Sequence, residues 1–239
     1  MLKIYHKIRP CWILTSVRSG SWLLCDLLNK TNLFDDYFEE YMHWSHPKRN
    51  CYPLFCKAIR RHFLSCHDDK EVIEKKIPEI KYIWLHRKDN YERAISLYFS
   101  IISNIWTTNS KNKKNEFLLN KNKNKIKFNE KLALACYSEA ASEYHNNWKS
   151  FLSKRKYLYV DYDLFINDIE NQFNSILNYL ELKSKFKIKI DSIPMKRQET
   201  DEFVFKLKEI VNKNKNKIPI VNKKNNVNVY KELIRSNFF

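Results

Sequence analysis

A short polar loop surrounds the only glycine of this 239-residue chain. The loop, Ser16–Ser21, offers three serine hydroxyls, backbone N–H groups and the guanidinium of Arg18. An apolar run at 11–15 predicts a strand before it, and leucines at helical spacing predict a helix over 21–28. A strand, a loop of donors and a helix N-terminus together form an arrangement that binds phosphate groups. We therefore expect a phosphate site here; the alternative is a serine-rich turn that only caps the helix.

Gly20 is expected to stand where a side chain is not tolerated. Glycine adopts a positive φ readily, and it also lets another group approach the backbone closely. A Walker-type loop would need two glycines separated by four residues and followed directly by Lys-Ser or Lys-Thr, and the loop around Gly20 has neither feature. A nucleotide kinase or GTPase is therefore not expected, and binding is expected to rest on Arg18 and the hydroxyls.

A second polar segment follows the apolar run 81–86, which predicts another strand. Arg87 stands at the end of that run, and a helical pattern follows. Asp89, Arg93 and Ser96 are spaced to share one side of this predicted helix. Arg87 and this stripe can bind a second phosphate. The alternative is a solvated helix edge with an Asp89–Arg93 ion pair.

Strand-like and helix-like segments alternate along the chain, which predicts an α/β fold with a central parallel sheet flanked by helices. In such sheets ligands bind beyond the carboxyl ends of the strands, where both polar segments fall. One domain over 1–239 is expected, with an Asn/Lys-rich insertion at about 107–130 and a similar tail at about 211–227. The other predicted elements are a strand at 157–162 and helices at 90–105, 132–152, 163–182, with an apolar inner face, and 201–211.

The formal charge of +17, from 44 basic and 27 acidic residues, raises nucleic-acid binding as a function. Most of the basic residues are lysines, and many lie in Asn/Lys tracts rather than beside clustered aromatic residues. We interpret this charge mainly as solvated surface, and nucleic acid is not an expected partner.

Six cysteines show no paired C-x-x-C spacing, so buried reduced thiols are expected. A zinc site built from Cys51, Cys56, Cys66 and nearby histidines is the alternative. The sequence contains no run of 18 or more uncharged apolar residues, so no membrane span is expected. The apolar stretch after residues 1–10 is too short for a signal peptide, which predicts a cytoplasmic protein.

The two polar segments resemble the signature regions of PAPS-dependent sulfotransferases, most closely the bacterial trehalose/glycolipid family. In that family a Ser-x-Arg-Ser-Gly-Ser-Thr-Leu-Leu segment binds the 5′-phosphosulfate, and Trp22 stands here at the position of the Thr. The resemblance implies a P-loop-like sulfotransferase fold and a site for PAPS. Its 5′-phosphosulfate would contact Arg18, Ser19, Gly20, Ser21 and Trp22.

The second region of that family reads His-Arg-x-Asp, then Ala-x-Ser, then a Trp ten residues later. His86, Arg87, Asp89, Ala94, Ser96 and Trp106 match it here. The resemblance implies that Arg87 and Ser96 bind the 3′-phosphate. Weaker matches are Lys57, the strand end Val160–Leu164, and the pair Arg197–Gln198 in a late loop that covers the cofactor.

The family also has an acidic, aromatic segment that supplies a general base. Counting along this chain assigns that role to Glu39, with the adjacent Glu40 as the alternative. Arg18 would assist catalysis at the 5′-phosphate, and no metal is implied. The implied reaction is sulfuryl transfer from PAPS to a hydroxyl of a carbohydrate or glycolipid acceptor, with a homodimer left open. The alternatives are a non-catalytic nucleotide-binding protein of this fold, or a basic nucleic-acid-binding protein.

Overall fold

The structure, a computed structural model, describes residues 10–31, 39–40, 55–59, 79–103, 127–141, 148–182 and 198–214. At 39–40, 55–59, 150 and 198–200 only the backbone is described. The chain divides into two compact units, one of residues 1–87 and 147–189 and the other of residues 88–146 and 190–239. The prediction of one domain over 1–239 remains a prediction.

Five strands and seven helices make up the described residues. The strands are β1 Cys11–Thr15, β2 Glu39–Glu40, β3 Phe55–Ile59, β4 Lys81–His86 and β5 Tyr157–Asp161. The helices are α1 Ser21–Lys30, α2 Asn90–Ser103, α3 Glu130–Ala141, α4 Lys149–Leu152, α5 Tyr162–Asn167, α6 Ile169–Tyr179 and α7 Gln198–Lys213.

The strands of the first unit form one parallel sheet in the order β2-β3-β1-β4-β5. The central strand β1 is buried along its whole length, as its unbroken apolar sequence predicts for a parallel strand covered on both faces. Thr15 pairs with Ile59 of β3, and His86 pairs with Asp161 of β5. The carboxyl ends of these strands therefore lie along one edge of the sheet, and the predicted α/β fold is confirmed.

The predicted strands at 11–15 and 81–86 agree with β1 and β4, and the third ends one residue earlier than predicted, at Asp161. The sequence pattern predicts neither β2 nor β3. Both are short, and Glu39–Glu40 and Lys57 interrupt the apolar alternation that marks a strand. The position of Lys57 in a strand nevertheless agrees with the short strand-like segment that its resemblance implies.

The helix predicted over 163–182 is two helices, α5 and α6. The chain leaves helical geometry at Asp168, where φ is −144° and ψ is 64°, and the Asp168 carboxylate accepts a hydrogen bond from Asn171 N at 3.4 Å. An aspartate competes for backbone donors in this way and caps the next helix. The apolar face is still buried as predicted, with Phe165, Ile169, Phe173, Ile176, Leu177 and Leu180 in the core.

The second unit consists of α2, α3 and α7 around an aromatic core. The rings of Tyr98, Phe99, Phe128 and Phe203 contact one another at centroid distances of 5.0–5.9 Å. The Tyr98 hydroxyl donates to Lys127 O and accepts from Asn129 N, so it fixes the segment before α3. Burial raises the pKa of Tyr98, since the charged phenolate would lose its hydration.

The helix predicted over 132–152 is described in two parts, α3 up to Ala141 and the short α4 from Lys149, and residues 142–147 lie outside the described residues. Most of the predicted Asn/Lys insertion, 104–126, and most of the tail, from 215 onward, lie outside the described residues. None of the helices in the described ranges is long and apolar enough to span a membrane.

Cys11, Cys25 and Cys136 are buried and form no disulfide bond, as predicted for these three. Burial raises the pKa of both the Cys11 and the Cys136 thiol well above the ordinary value, which keeps them neutral. Cys51, Cys66 and the nearby histidines of the alternative zinc site lie outside the described residues. Within the described ranges, no group of three His, Cys, Asp or Glu could hold a metal ion.

Candidate functional site

The loop between β1 and α1 has an unusual backbone. Arg18 has φ 60° and Gly20 has φ 76°, so two of its residues are left-handed. Ser16 and Ser19 of this loop are buried, with their Oγ atoms 2.5 Å apart. Tight turns of this kind bring successive N–H groups to one side, which is the geometry of an anion-binding concavity. The loop therefore has the backbone form that a phosphate requires.

The N-terminus of α1 is not capped by a side chain. Gly20 is its N-cap residue and makes no side-chain cap hydrogen bond. The N–H groups of Leu23 and Leu24 both donate to Gly20 O, at 3.0 and 3.4 Å, so the helical ladder starts at that carbonyl. The first turn also contains no acidic residue. The positive end of the helix dipole is therefore available to an anion from outside the helix.

Four other helices begin differently, with an Asp or Asn side chain that accepts backbone hydrogen bonds. In α2, Asp89 Oδ1 accepts from Tyr91 N at 2.8 Å and from Glu92 N at 2.9 Å. The corresponding caps of α3, α5 and α6 are Asn129, Asp161 and Asp168. Because Asp or Asn caps these four described helices, the glycine at the N-cap of α1 is a specific feature of that helix.

Gly20 is required for two reasons at once, and both agree with the sequence prediction. Its φ is positive, and a Cβ placed on it would lie 2.0 Å from Cε2 and 2.5 Å from Cδ2 of Tyr162. The group that approaches the backbone is thus a tyrosine ring from the first turn of α5. A side chain at position 20 would have to displace this ring.

Arg87 lies at the carboxyl end of β4 and contacts the same tyrosine. The guanidinium carbon is 5.0 Å from the centroid of the Tyr162 ring, and Arg87 Nε is 4.0 Å from Asp163 Oδ1. The arginine side chain is 14% exposed. The structure therefore connects Gly20, Tyr162, Arg87 and Asp163 at one edge of the sheet, where ligands bind in parallel α/β sheets.

The turn after β5 positions Tyr162 and Asp163. Asp161 is buried, and its carboxylate accepts from Asp163 N at 3.0 Å and from Leu164 N at 3.5 Å. This cap starts α5 directly after the strand and places Tyr162 at its first position. Sequence reasoning assigned no role to Tyr162 or Asp163; the only signal was the resemblance of Val160–Leu164 to a strand end of the sulfotransferases.

A buried tryptophan fixes the end of β1. Trp148 Nε1 donates to Thr15 O at 3.0 Å, directly before the loop. The two residues are far apart in the sequence, so no local pattern identifies this contact. It holds the last carbonyl of β1 and thus the point from which the loop departs.

The other predicted residues of the first region differ in exposure. Ser19 and Ser21 are buried, and Arg18 is half-buried. Trp22 lies in the first turn of α1 with 45% of its surface exposed. An exposed indole thus stands at the position of the family's threonine hydroxyl.

The prediction that Arg93 belongs to an accessible polar stripe on α2 is wrong. Arg93 is fully buried, and its Nη2 donates to Ala140 O of α3 at 2.6 Å. It therefore links two helices of the second unit and is not a solvated group. A buried guanidinium needs such acceptors, because an unsatisfied charge in the interior is very costly. Asp89 caps α2, and Ser96 is half-buried on the same helix.

The remaining predicted residues are described in part or not at all. The backbone of Glu39 and Glu40 forms β2, whose residues pair with Cys56 and Lys57 of β3. Gln198 is the first residue of α7, with only its backbone described. Trp106 and Arg197 lie outside the described residues. The structure thus brings Arg87 together with the loop around Gly20, while the roles of Glu39, Glu40, Arg197 and Gln198 remain predictions.

A comparison with known protein families identifies the family of this chain. A family model described as Stf0 sulphotransferase matches residues 46–209. The matched range contains Arg87, Ser96 and Tyr162 and begins after the loop between β1 and α1. No curated protein matches the chain in sequence. Since the model matches more than half of the chain, the protein belongs to the Stf0 sulphotransferase family and its general activity is sulfuryl transfer.

Proposed function

We propose that this protein transfers a sulfuryl group from PAPS to a hydroxyl of a carbohydrate or glycolipid acceptor. The observation that carries the proposal is the uncapped, glycine-started N-terminus of α1, with its left-handed loop and no acidic residue in the first turn. Such a helix start favours a phosphate or sulfate group. The donor set fits PAPS because a second cationic group, Arg87, stands at the same edge of the sheet.

The loop would hold the 5′ end of the donor. The N–H groups from Gly20 to Trp22 and the hydroxyls of Ser19 and Ser21 are its neutral donors. Arg18 adds a charged, planar donor that matches phosphate oxygens. Charge grows on the 5′-phosphate as the sulfuryl group departs, and fixed donors aimed at that charge lower the barrier.

Arg87 and Ser96 would bind the 3′-phosphate, together with Arg197 and with Gln198, the first residue of α7. This group distinguishes PAPS from ATP and AMP. We do not include Arg93 in this site, because its guanidinium is buried and its Nη2 donates a hydrogen bond to Ala140 O. No metal enters this scheme.

Glu39 would act as the general base. PAPS supplies an activated sulfuryl group bound to a good leaving phosphate. Glu39 takes the proton from the acceptor hydroxyl as that oxygen bonds to sulfur, a role that contributes roughly 10²- to 10⁴-fold to the rate. Arg18 stabilises the charge that develops on the leaving phosphate.

A transfer assay with labelled PAPS and a panel of sugars and glycolipids tests the proposal. Glu39→Gln keeps the size of the side chain but removes the basic carboxylate, so kcat should fall by roughly 100-fold or more with little change in PAP affinity. Glu40→Gln is the matched control, since adjacent residues of a strand lie on opposite faces of the sheet.

The two glutamate variants separate three outcomes. An inactive Glu40→Gln with an active Glu39→Gln would move the base by one residue. Full activity in both would place the base elsewhere, with His43 and His46 the next candidates. If the unmodified protein binds PAP but transfers nothing to any acceptor, the enzymatic proposal is wrong.

Non-catalytic nucleotide binding is the second candidate function. The observation that favours it is Trp22, an exposed indole where the family has a hydroxyl beside the phosphates. Trp22→Thr restores that hydroxyl. Gain of transfer activity only in this variant would support a binding protein, whereas activity in the unmodified chain would exclude it.

A further inference from the structure

We propose that Tyr162 is a positioning residue that ties the loop around Gly20 to Arg87 and so sets the preference for nucleotides with a 3′-phosphate. The inference rests on the proposed function, since it assumes that the loop and Arg87 bind two phosphates of one nucleotide. It concerns a residue to which the motif match assigned no role. Three contacts of the Tyr162 side chain and its neighbours carry it.

The first contact is with the loop. The Tyr162 ring occupies the space that a side chain at position 20 would need, with Cε2, Cδ2 and Cζ at 2.0, 2.5 and 2.9 Å from the Cβ position. Tyr162 as a whole is 8% exposed. Because the ring fills the space that a Cβ would occupy, it packs directly on the backbone of Gly20, and close packing of this kind restricts independent movement of the two groups.

The second contact is with Arg87. Its guanidinium lies 5.0 Å from the ring centroid, within the range of a cation–π interaction. The ion pair with Asp163 is at the 4.0 Å limit, and Asp163 is 45% exposed. An exposed ion pair of this length contributes little, so the ring face restrains the arginine more than this ion pair does.

The third contact fixes the backbone of Tyr162 and thereby the position of its ring. Asp161 caps α5 and places Tyr162 at the first helical position, directly after an edge of the sheet. The loop and Arg87 therefore both pack against the same fixed ring, which sets the distance between them. A nucleotide with both a 5′- and a 3′-phosphate binds the loop and Arg87 at this fixed distance, whereas AMP binds the loop alone.

The test measures the dissociation constants of PAP and AMP by calorimetry in Tyr162→Phe and Tyr162→Leu. Tyr162→Phe keeps the ring, so the PAP/AMP affinity ratio should stay within about 2-fold of the unmodified protein. Tyr162→Leu removes the ring face, and the ratio should fall about 5-fold or more. Tyr159→Leu is the matched control, because Tyr159 packs on Trp84 and His86 and its loss should leave the ratio unchanged.

A graded series of fluorinated phenylalanines at position 162 keeps the proposal testable if Tyr162→Leu does not fold. Fluorine withdraws the charge from the ring face while the shape is nearly kept, so the ratio should decline stepwise with each fluorine. A flat series, or a loss in Tyr162→Phe as large as in Tyr162→Leu, would overturn the inference. Equal affinities for PAP and AMP in the unmodified protein would instead overturn the proposed function.

Discussion

The two helices α1 and α2 both follow a buried strand, but their N-termini are built in opposite ways. α1 starts at a left-handed glycine with no side-chain cap, whereas α2 starts under the Asp89 carboxylate, which accepts two backbone hydrogen bonds. An internal carboxylate satisfies the helix dipole and repels a second anion. Of these two termini, only that of α1 is therefore suited to a phosphate.

The largest expected effect comes from closing the α1 terminus with a methyl group. Gly20→Ala places a Cβ 2.0 Å from the Tyr162 ring at φ 76°. Overpacking costs about 1–3 kcal/mol and a left-handed alanine about 1–2 kcal/mol. We expect a loss of roughly 2–5 kcal/mol in the free energy of unfolding, measured with urea, together with loss of PAP binding.

Tyr162→Ala provides the control for that prediction. It removes the clash and leaves only the backbone cost, so Gly20→Ala in a Tyr162→Ala background should cost about 1–2 kcal/mol. If the costs of the two substitutions are additive in the double-mutant cycle, a side chain at position 20 does not clash with the Tyr162 ring, which would contradict the structure.

Removing the cap of α2 should have a smaller effect of a different kind. Asp89→Ala leaves two N–H groups without their carboxylate, which should lower the free energy of unfolding by about 1 kcal/mol. The PAP affinity should not fall, because the carboxylate is not part of the phosphate site. A large loss of PAP affinity with unchanged stability would make the two termini functionally alike and contradict the comparison.

The sequence predicts three strands of the sheet, β1, β4 and β5, and the loop because their signals are local. The apolar runs of β1 and β4 lie directly before polar segments, and the lone glycine marks a left-handed position. The contact between Gly20 and Tyr162 and the bond from Trp148 to Thr15 join distant parts of the chain, so no spacing rule identifies them. Arg93 was misassigned because helical periodicity gives the side of a helix on which a residue lies, but not whether another helix covers that side.

The central claim is that the open terminus of α1 binds an anion, and one pair of variants at Trp22 tests it most directly. Trp22→Asp and Trp22→Asn have nearly the same shape and differ by one charge in the exposed first turn of α1. Without ligand, the aspartate should be equally stable or slightly more stable, because it favours the helix dipole. In calorimetric titrations with PAP, the affinity of Trp22→Asp should be about 5-fold or more below that of Trp22→Asn. Equal PAP affinities in the two variants would show that the phosphate does not bind at this helix terminus and would contradict the account.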